Sequence, residues 1–203
     1  MRGEKARAAL LLYSLIAGFA LSMGFMRGDP DLFHCPDPYL DLSPWLEVTS
    51  GIVIGVMFGH GVVWLSQRLV DRWRWKPALR LHIGLRQLLG VRDAPLGRGE
   101  IIVLVLSSAV AEELFFRGWL LPLIGLVSSS LVFGALHYVP NSRGMWTWVP
   151  LAVIMGLVFG LMFKTLGSLT APIVAHMVIN FQNLCFINRF DPLKGTAHGD
   201  LGV

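Results

Sequence analysis

Three ionisable side chains interrupt one of the most apolar stretches of the chain. Residues 111–118 read AEELFFRG and hold Glu112, Glu113 and Arg117, while IIVLVLSSAV lies shortly before them and WLLPLIG follows. In an α-helix Glu113 and Arg117 lie on one face and can pair, whereas Glu112 is rotated by about 100° from Glu113. The two adjacent carboxylates are therefore predicted to have different roles.

Two later apolar stretches carry polar groups at the same helical spacing. FGALH places Phe133 four residues before His137, and HMVIN places His176 four residues before Asn180. Residues four apart share one face of a helix. If these faces meet the face that carries the glutamates, a carboxylate, two imidazoles and an amide converge in a partly dry pocket.

Such a cluster suits hydrolysis by an activated water molecule. A poorly solvated carboxylate holds a proton readily and can act as a general base. A second imidazole and an amide N–H can stabilise the oxyanion that forms on a peptide carbonyl. The same carboxylate and imidazoles could instead bind Zn²⁺ and activate the water through it. The structural alternatives are a packing histidine and a Glu–Arg pair that only locks two helices together.

The composition predicts a membrane protein. The chain has 203 residues, of which 54% are hydrophobic and 15% charged, whereas soluble domains carry about 25% charged residues. Although the formal net charge is +4, the positive side chains lie between apolar segments and not along one face. This distribution argues against nucleic acid as a partner and favours the lipid bilayer.

The apolar segments predict an all-α, polytopic transmembrane helix bundle of about six spans, with a catalytic core formed by the last four. A span needs about 20 apolar residues in a helix. The boundary between the third and fourth spans lies near Pro122 to Gly125. The predicted spans are residues 8–26, 48–67, 101–122, 123–139, 146–164 and 169–188.

Small residues four apart predict where helices approach each other closely in lipid. Gly51, Gly55 and Gly59 recur in the second span, and Gly156 and Gly160 in the fifth. Such spacing is typical of helix packing in membranes. These glycines indicate packing and not chemistry.

The charge bias of the loops predicts the orientation. The N-terminus and residues 68–98 are basic, whereas the first loop is acidic. The positive-inside rule then places both termini in the cytoplasm, in what we expect to be a bacterial inner membrane. The apolar N-terminal segment is expected to be a retained helix and not a cleaved signal peptide. Within 68–98, ALRLHIGLRQLLG is either a short helix on the membrane surface or a solvated basic linker.

The three motifs together resemble those of a known family. EELFFR has the form EExxxR, FGALH the form FxxxH and HMVIN the form HxxxN, in that order. This pattern is similar to that of the CPBP, or Abi, family of intramembrane proteases, which includes CAAX prenyl endopeptidases and proteins linked to bacteriocin processing. The resemblance covers about residues 99–188. It divides the chain into N-terminal helices with a basic linker (1–98), a catalytic bundle (99–188) and a flexible tail (189–203).

The resemblance implies a role for each motif residue. Glu112 and His137 would activate the attacking water, and His176 and Asn180 would line the oxyanion site. The supporting residues would be Glu113, Arg117 and Phe133.

The resemblance also bears on the cofactor. We favour a metal-free glutamate mechanism, and the sequence contains no HExxH zinc motif. If a divalent metal such as zinc binds, Glu112, His137 and His176 would be its ligands.

The function implied by the resemblance is intramembrane endopeptidase activity near the C-terminus of a membrane-anchored protein, of the CAAX type or on bacterial sorting tails. The partner would be a membrane-anchored protein or peptide substrate. A non-catalytic bacteriocin-immunity or membrane scaffolding protein is the alternative. A small proton-coupled transporter is a further one, because intramembrane Glu and His also mark proton relays.

Overall fold

A computed structural model describes residues 4–29, 31–36, 38–40, 42–91, 94–138 and 144–193. Helices account for most of these residues, and the predicted all-α class is confirmed. Most of the predicted tail, residues 194–203, lies outside the described ranges. The helices are α1 (Glu4–Met26), α2 (Pro44–Gln67), α3 (Lys76–Leu88), α4 (Arg98–Glu113), α5 (Leu121–Leu136), α6 (Trp148–Leu166) and α7 (Thr170–Arg189), with π-helical turns at Arg68–Arg72 and Leu114–Leu120 and a 3₁₀ turn at Met145–Thr147.

Among the described residues, five helical stretches are long and apolar enough to cross a membrane, and one of them contains two predicted spans. This stretch runs over Arg98–Leu136, 39 residues, and would be about 58 Å long if straight. It is interrupted at Gly125, where φ is +82° and ψ is 169°. Glycine is the residue that adopts a positive φ at little cost. The predicted boundary near Pro122 to Gly125 is therefore confirmed.

After Gly125 the chain runs back alongside the segment it came from. The rings of Phe116 and Phe133 lie 4.8 Å apart, and Glu112 lies 4.0 Å from His137. From the first pair to the second, the residue number falls from 116 to 112 in one segment and rises from 133 to 137 in the other. Helix α5 is therefore antiparallel to the end of α4. The 39-residue stretch is thus a hairpin.

The predicted packing glycines lie at helix crossings. A Cβ on Gly51 would be 2.6 Å from the carbonyl oxygen of Ala171, and one on Gly59 would be 2.8 Å from the Gln182 side chain. Helices α2 and α7 therefore run parallel and in close contact. Gly156 and Gly160 meet Ser130 and Leu126 of α5 in the same way.

The outside of the bundle is apolar, as a lipid environment requires. Large side chains such as Leu11, Leu15 and Phe25 of α1 and Val127 of α5 are more than 60% exposed. Water would disfavour so much exposed apolar surface, whereas a hydrocarbon phase does not. The polar side chains of the three motifs lie inside.

The basic connection contains a helix. Residues 76–88 form α3, which buries Ala78, Leu79 and His82. The predicted helix is therefore present over these residues and the alternative of a solvated linker is wrong for them, while its place on the membrane surface stays a prediction. One apolar face of α3 packs on the bundle, where Ala78 and Leu79 form a buried cluster with Val70. This burial stabilises the helix of an amphipathic sequence.

Candidate active site

The second glutamate of the motif is paired through Oε1 in a buried network, while its Oε2 has no hydrogen-bond partner among the described residues. Glu113 Oε1 accepts hydrogen bonds from Arg117 Nη1 at 2.9 Å and from His176 Nδ1 at 2.8 Å. Glu113 is 0% exposed and Arg117 2%. A buried charge persists where it is paired and hydrogen-bonded, and this arrangement joins α4 to α7.

Arg117 also ties the hairpin to α6. Its Nη2 donates to the carbonyl oxygen of Gly156 at 3.2 Å. Its guanidinium lies 4.5 Å from the centroid of the Phe133 ring and 5.2 Å from that of Phe159. Cation–π contacts of this kind stabilise a desolvated guanidinium. Arg117 and Phe133 thus hold three helices in register.

The first glutamate has very different surroundings. Glu112 Oε2 is buried and has no hydrogen-bond partner. It lies 4.0 Å from His137 Nε2 and 3.8 Å from His176 Nε2. These distances are too long for direct hydrogen bonds and suit one bridging water molecule.

Backbone and side-chain partners orient both imidazoles towards Glu112. His137 Nδ1 lies 2.7 Å from the carbonyl oxygen of Phe133, so it donates there and leaves Nε2 free. His176 Nδ1 donates to Glu113 in the same manner, and its ring stacks on Phe159 at 5.0 Å. A partner on one ring nitrogen fixes which nitrogen is available for chemistry.

The amide of the third motif lies on the same wall. Asn180 Nδ2 donates to Ser108 Oγ at 3.1 Å. A cavity of about 30 Å³ is lined by His137, His176 and Asn180 together with apolar residues. Glu112 lies next to this cavity, within 4.0 Å of two of the rings that line it. A water molecule needs roughly 10–15 Å³ of such space, so the cavity can hold one.

The structure thus brings every residue predicted for the site into one cluster. The two glutamates have different contacts because adjacent residues of a helix point in directions about 100° apart. Glu113 points towards α7, and Glu112 points towards the gap between α5 and α7. The π-helical turn Leu114–Leu120 begins directly after Glu113. Single π turns are frequent at functional sites, and this one carries Arg117 and Phe116.

Two site residues have no counterpart in the motifs. Tyr13 of α1 lies close to the Glu112 carboxylate, and Ser108 accepts a hydrogen bond from Asn180. Tyr13 is the single tyrosine of the largely apolar helix α1. No motif includes it, so its place in the site was only weakly indicated by the sequence. Ser108 precedes Glu112 by four residues and shares its face.

The spacing of the carboxylates and imidazoles determines whether the site could hold a metal ion. Among the described residues, no group of three or more His, Cys, Asp or Glu side chains has the spacing to hold a metal ion. In a tetrahedral zinc site each ligand atom lies about 2.0–2.2 Å from the metal. Two such ligand atoms are then about 3.3–3.6 Å apart, and Glu112 Oε2 lies slightly farther, 4.0 and 3.8 Å, from the two imidazole nitrogens.

Comparison with known proteins agrees with the motifs. Residues 96–182 match the profile of the family described as type II CAAX prenyl endopeptidase Rce1-like. Over 100 residues the chain is 37% identical to the uncharacterized protein YpbD of Bacillus subtilis (strain 168), a match covering 49% of this chain and 51% of that protein. The chain therefore spans about half the length of this relative. No solved structure matches. The family resemblance predicted from the three motifs is confirmed, and it covers all seven motif residues but not Tyr13.

Proposed function

We propose, from the premise that residues 96–182 are Rce1-like, that this integral membrane protein is an intramembrane endopeptidase that cleaves near the C-terminus of membrane-anchored proteins. One observation carries the proposal. Glu112 Oε2 is buried without a hydrogen-bond partner and is within 4.0 Å of two imidazole nitrogens whose orientation is fixed. A carboxylate so placed is suited to hold and deprotonate a water molecule.

In the first step Glu112 takes a proton from the water while the water oxygen attacks the scissile carbonyl carbon. His137 Nε2, the ring atom not bonded to the Phe133 carbonyl, holds the water by a hydrogen bond. The new C–O bond converts the carbonyl into a tetrahedral oxyanion. In the second step the C–N bond breaks, and the proton on Glu112 passes to the departing amine.

The oxyanion would be stabilised by the groups on α7. His176, oriented by the hydrogen bond from its Nδ1 to Glu113, would place Nε2 beside the oxyanion. Asn180 is the second donor. Removing one hydrogen-bond donor that faces a developing oxyanion typically raises the activation free energy by about 2.7–4 kcal/mol.

A metal-free reaction is the form we favour, because Glu112 Oε2 lies too far from the two imidazoles for direct hydrogen bonds and next to a cavity that can hold a water molecule. The alternative uses zinc or another divalent ion bound by Glu112, His137 and His176. Metal content measured on active, chelator-treated protein distinguishes the two, since the metal-free mechanism expects full activity with less than one-tenth equivalent of metal.

The substrate class is a membrane-anchored protein, either CAAX-type or a bacterial protein with a sorting tail. A site within the bundle reaches peptide bonds close to a membrane anchor. The protein is proposed to lie in the bacterial inner membrane with its N-terminus and its basic connection in the cytoplasm, following the loop charges.

The test compares wild type with Glu112→Gln on tail peptides reconstituted in detergent or nanodiscs. The substitution keeps the shape and removes the base, so cleavage is expected to fall by about 10²–10⁴-fold. Glu100→Gln is the matched control, because Glu100 lies in the first turn of the same helix and caps Gly97. Equal cleavage by Glu112→Gln and wild type would contradict the proposal and favour a non-catalytic scaffolding or immunity protein.

A further inference from the structure

A second cavity lies at the end of the bundle where α3 packs. It has a volume of about 170 Å³ and lies between α2, α3, α6 and α7. A cavity of about 150 Å³ lined by Leu, Ile and Phe side chains binds benzene, so this one can hold an aromatic or a branched aliphatic side chain. Its apolar wall includes Leu65, Leu69, Ala78, Leu85 and Phe186.

This cavity adjoins the one beside Glu112. The four residues Val62, Trp148, Leu151 and Asn183 line both cavities. A peptide bound at the catalytic residues would therefore have a short passage, past these shared residues, into the apolar cavity.

Helix geometry gives the length of that passage. Asn183 and Ile187 follow His176 on α7 by 7 and 11 residues, or about 10 to 17 Å along the axis. An extended peptide advances about 3.3 Å per residue. The cavity is therefore reached three to five residues from the scissile bond.

A free amide lies at the junction. Within the described part of the chain Asn183 forms no hydrogen bond, although it is half-buried. An extended peptide brings backbone N–H and C=O groups that need partners when they leave water. Asn183 can both donate to and accept from that backbone.

Helix α3 is fastened over the cavity by polar contacts with the end of α7. Arg86 Nη1 donates to the carbonyl oxygens of Ile187 at 2.6 Å and Phe190 at 2.8 Å. His82 Nε2 lies 2.9 Å from the Phe190 oxygen, and burial lowers the pKa of His82, so the ring is neutral and donates. These contacts hold α3 in place, so the wall of the cavity is a defined part of the fold.

We propose that this cavity is a substrate subsite that receives one apolar side chain of the peptide, three to five residues from the scissile bond, while Asn183 binds the intervening backbone. The proposal rests on the proposed function. It assigns substrate selection to α3, which lies outside the Rce1-like segment. A charged side chain is disfavoured because no Lys, Arg, Asp or Glu is among the described residues that line the cavity.

The test measures kcat/KM on a peptide series that carries Leu, Phe, Ala or Asp at the third, fourth or fifth residue from the scissile bond. Wild type is expected to prefer Leu or Phe over Ala and Asp by about tenfold or more at one of these positions. Ala78→Phe, which fills the cavity, is expected to reduce cleavage of the Leu peptide to the rate of the Ala peptide. A thermal midpoint in detergent close to that of wild type shows that the variant is folded.

Leu88→Phe is the matched control, since Leu88 lies on the exposed side of α3 and should leave the preference unchanged. Asn183→Ala is expected to raise KM several-fold for every peptide with little change in kcat. Equal rates for all peptides on wild type, or an unchanged preference in Ala78→Phe, would overturn the subsite. That result is also expected if the cavity holds a lipid chain instead of a side chain.

Peptide binding to Glu112→Gln, measured by fluorescence anisotropy, separates this proposal from the proposed function. Side-chain-selective binding that Ala78→Phe removes supports the subsite even if wild type cleaves nothing. Cleavage without side-chain preference overturns the subsite and leaves the protease function standing. Neither binding nor cleavage of any peptide overturns both.

Discussion

Two carboxylates that are adjacent in sequence have opposite surroundings once the chain is folded. Glu113 is paired with Arg117 and His176, whereas Glu112 presents an unbonded oxygen to two imidazoles. The separation of roles was predictable from the helical rotation of one residue. The spacing also predicted the Glu113–Arg117 pair, whereas the contacts with the two histidines depend on how two other helices pack.

The contact between Tyr13 and Glu112 predicts a positioning residue on α1. Tyr13→Phe removes the phenol hydroxyl that lies near the Glu112 carboxylate, and loss of one such polar contact costs about 1 kcal/mol. We expect kcat to fall by about fivefold with KM unchanged. Steady-state kinetics on a cleaved tail peptide is the measurement.

Two controls make this prediction specific. Tyr39→Phe, at an exposed loop position, should have no effect. Tyr13→Phe added to Glu112→Gln should cause no further loss, because the two residues act as one unit. An additive loss in the double variant would assign Tyr13 to packing alone.

At the scale of the helices, the α4–α5 hairpin creates the site. The reversal at Gly125 brings Phe133 to Arg117 and His137 to Glu112. Sequence analysis located the break but treated the segments only as successive spans. Which residues of an antiparallel pair meet depends on how far each lies from the turn.

The close crossing of α2 and α7 predicts that alanine substitutions at two glycines of α2 differ greatly in their effect on stability. A Cβ on Gly55 would be 2.7 Å from Val178 Cβ and 2.9 Å from the Ala175 oxygen, whereas a Cβ on Gly61 would have open space. Overpacking of this kind costs about 1–3 kcal/mol. We expect Gly55→Ala to lower the thermal midpoint in detergent and Gly61→Ala to leave it unchanged or raise it slightly.

The same crossing carries a functional consequence. His176 follows Ala175 on α7, so displacement of α7 by a new methyl group moves the imidazole relative to Glu112. Gly55→Ala should therefore also reduce cleavage, while Gly61→Ala keeps it. Equal midpoints for the two variants would contradict the observed approach of the helices.

At the scale of the whole molecule, the directions of the helices alternate as a six-crossing topology requires. Helices α2 and α7 are parallel and α4 and α7 antiparallel. The loop after α1 packs on the turn between α6 and α7, where Cys35 N donates to the Gly167 oxygen and Leu169 N to the Phe33 oxygen. Helix α3 covers the opposite end.

This topology predicts that the two ends of the bundle differ in accessibility. In a chain with Cys35 and Cys185 changed to serine, His34→Cys should react with a membrane-impermeant thiol reagent on intact cells. Trp73→Cys, which follows α2 and is exposed, should react only after permeabilisation. Reaction of both from the same side would contradict the crossing between them.

The sequence by itself determined the class of the protein, the apolar segments, the packing glycines and the seven motif residues. These follow from local properties: the length of apolar runs, helical spacing and the cost of a charge in lipid. The solvated-linker alternative for residues 76–88 stayed open because an amphipathic basic sequence needs a partner surface before its helix is stable.

The tertiary structure alone decided which polar atoms face one another. Tyr13 and Ser108 entered the site, and α3 closed an apolar cavity beside it, through contacts between segments far apart in the chain. Such contacts depend on the crossing points and directions of helices, and no periodicity within a single helix encodes them. For this reason a spacing rule could identify Glu112 and the two histidines, but only the packed bundle set the distances between them.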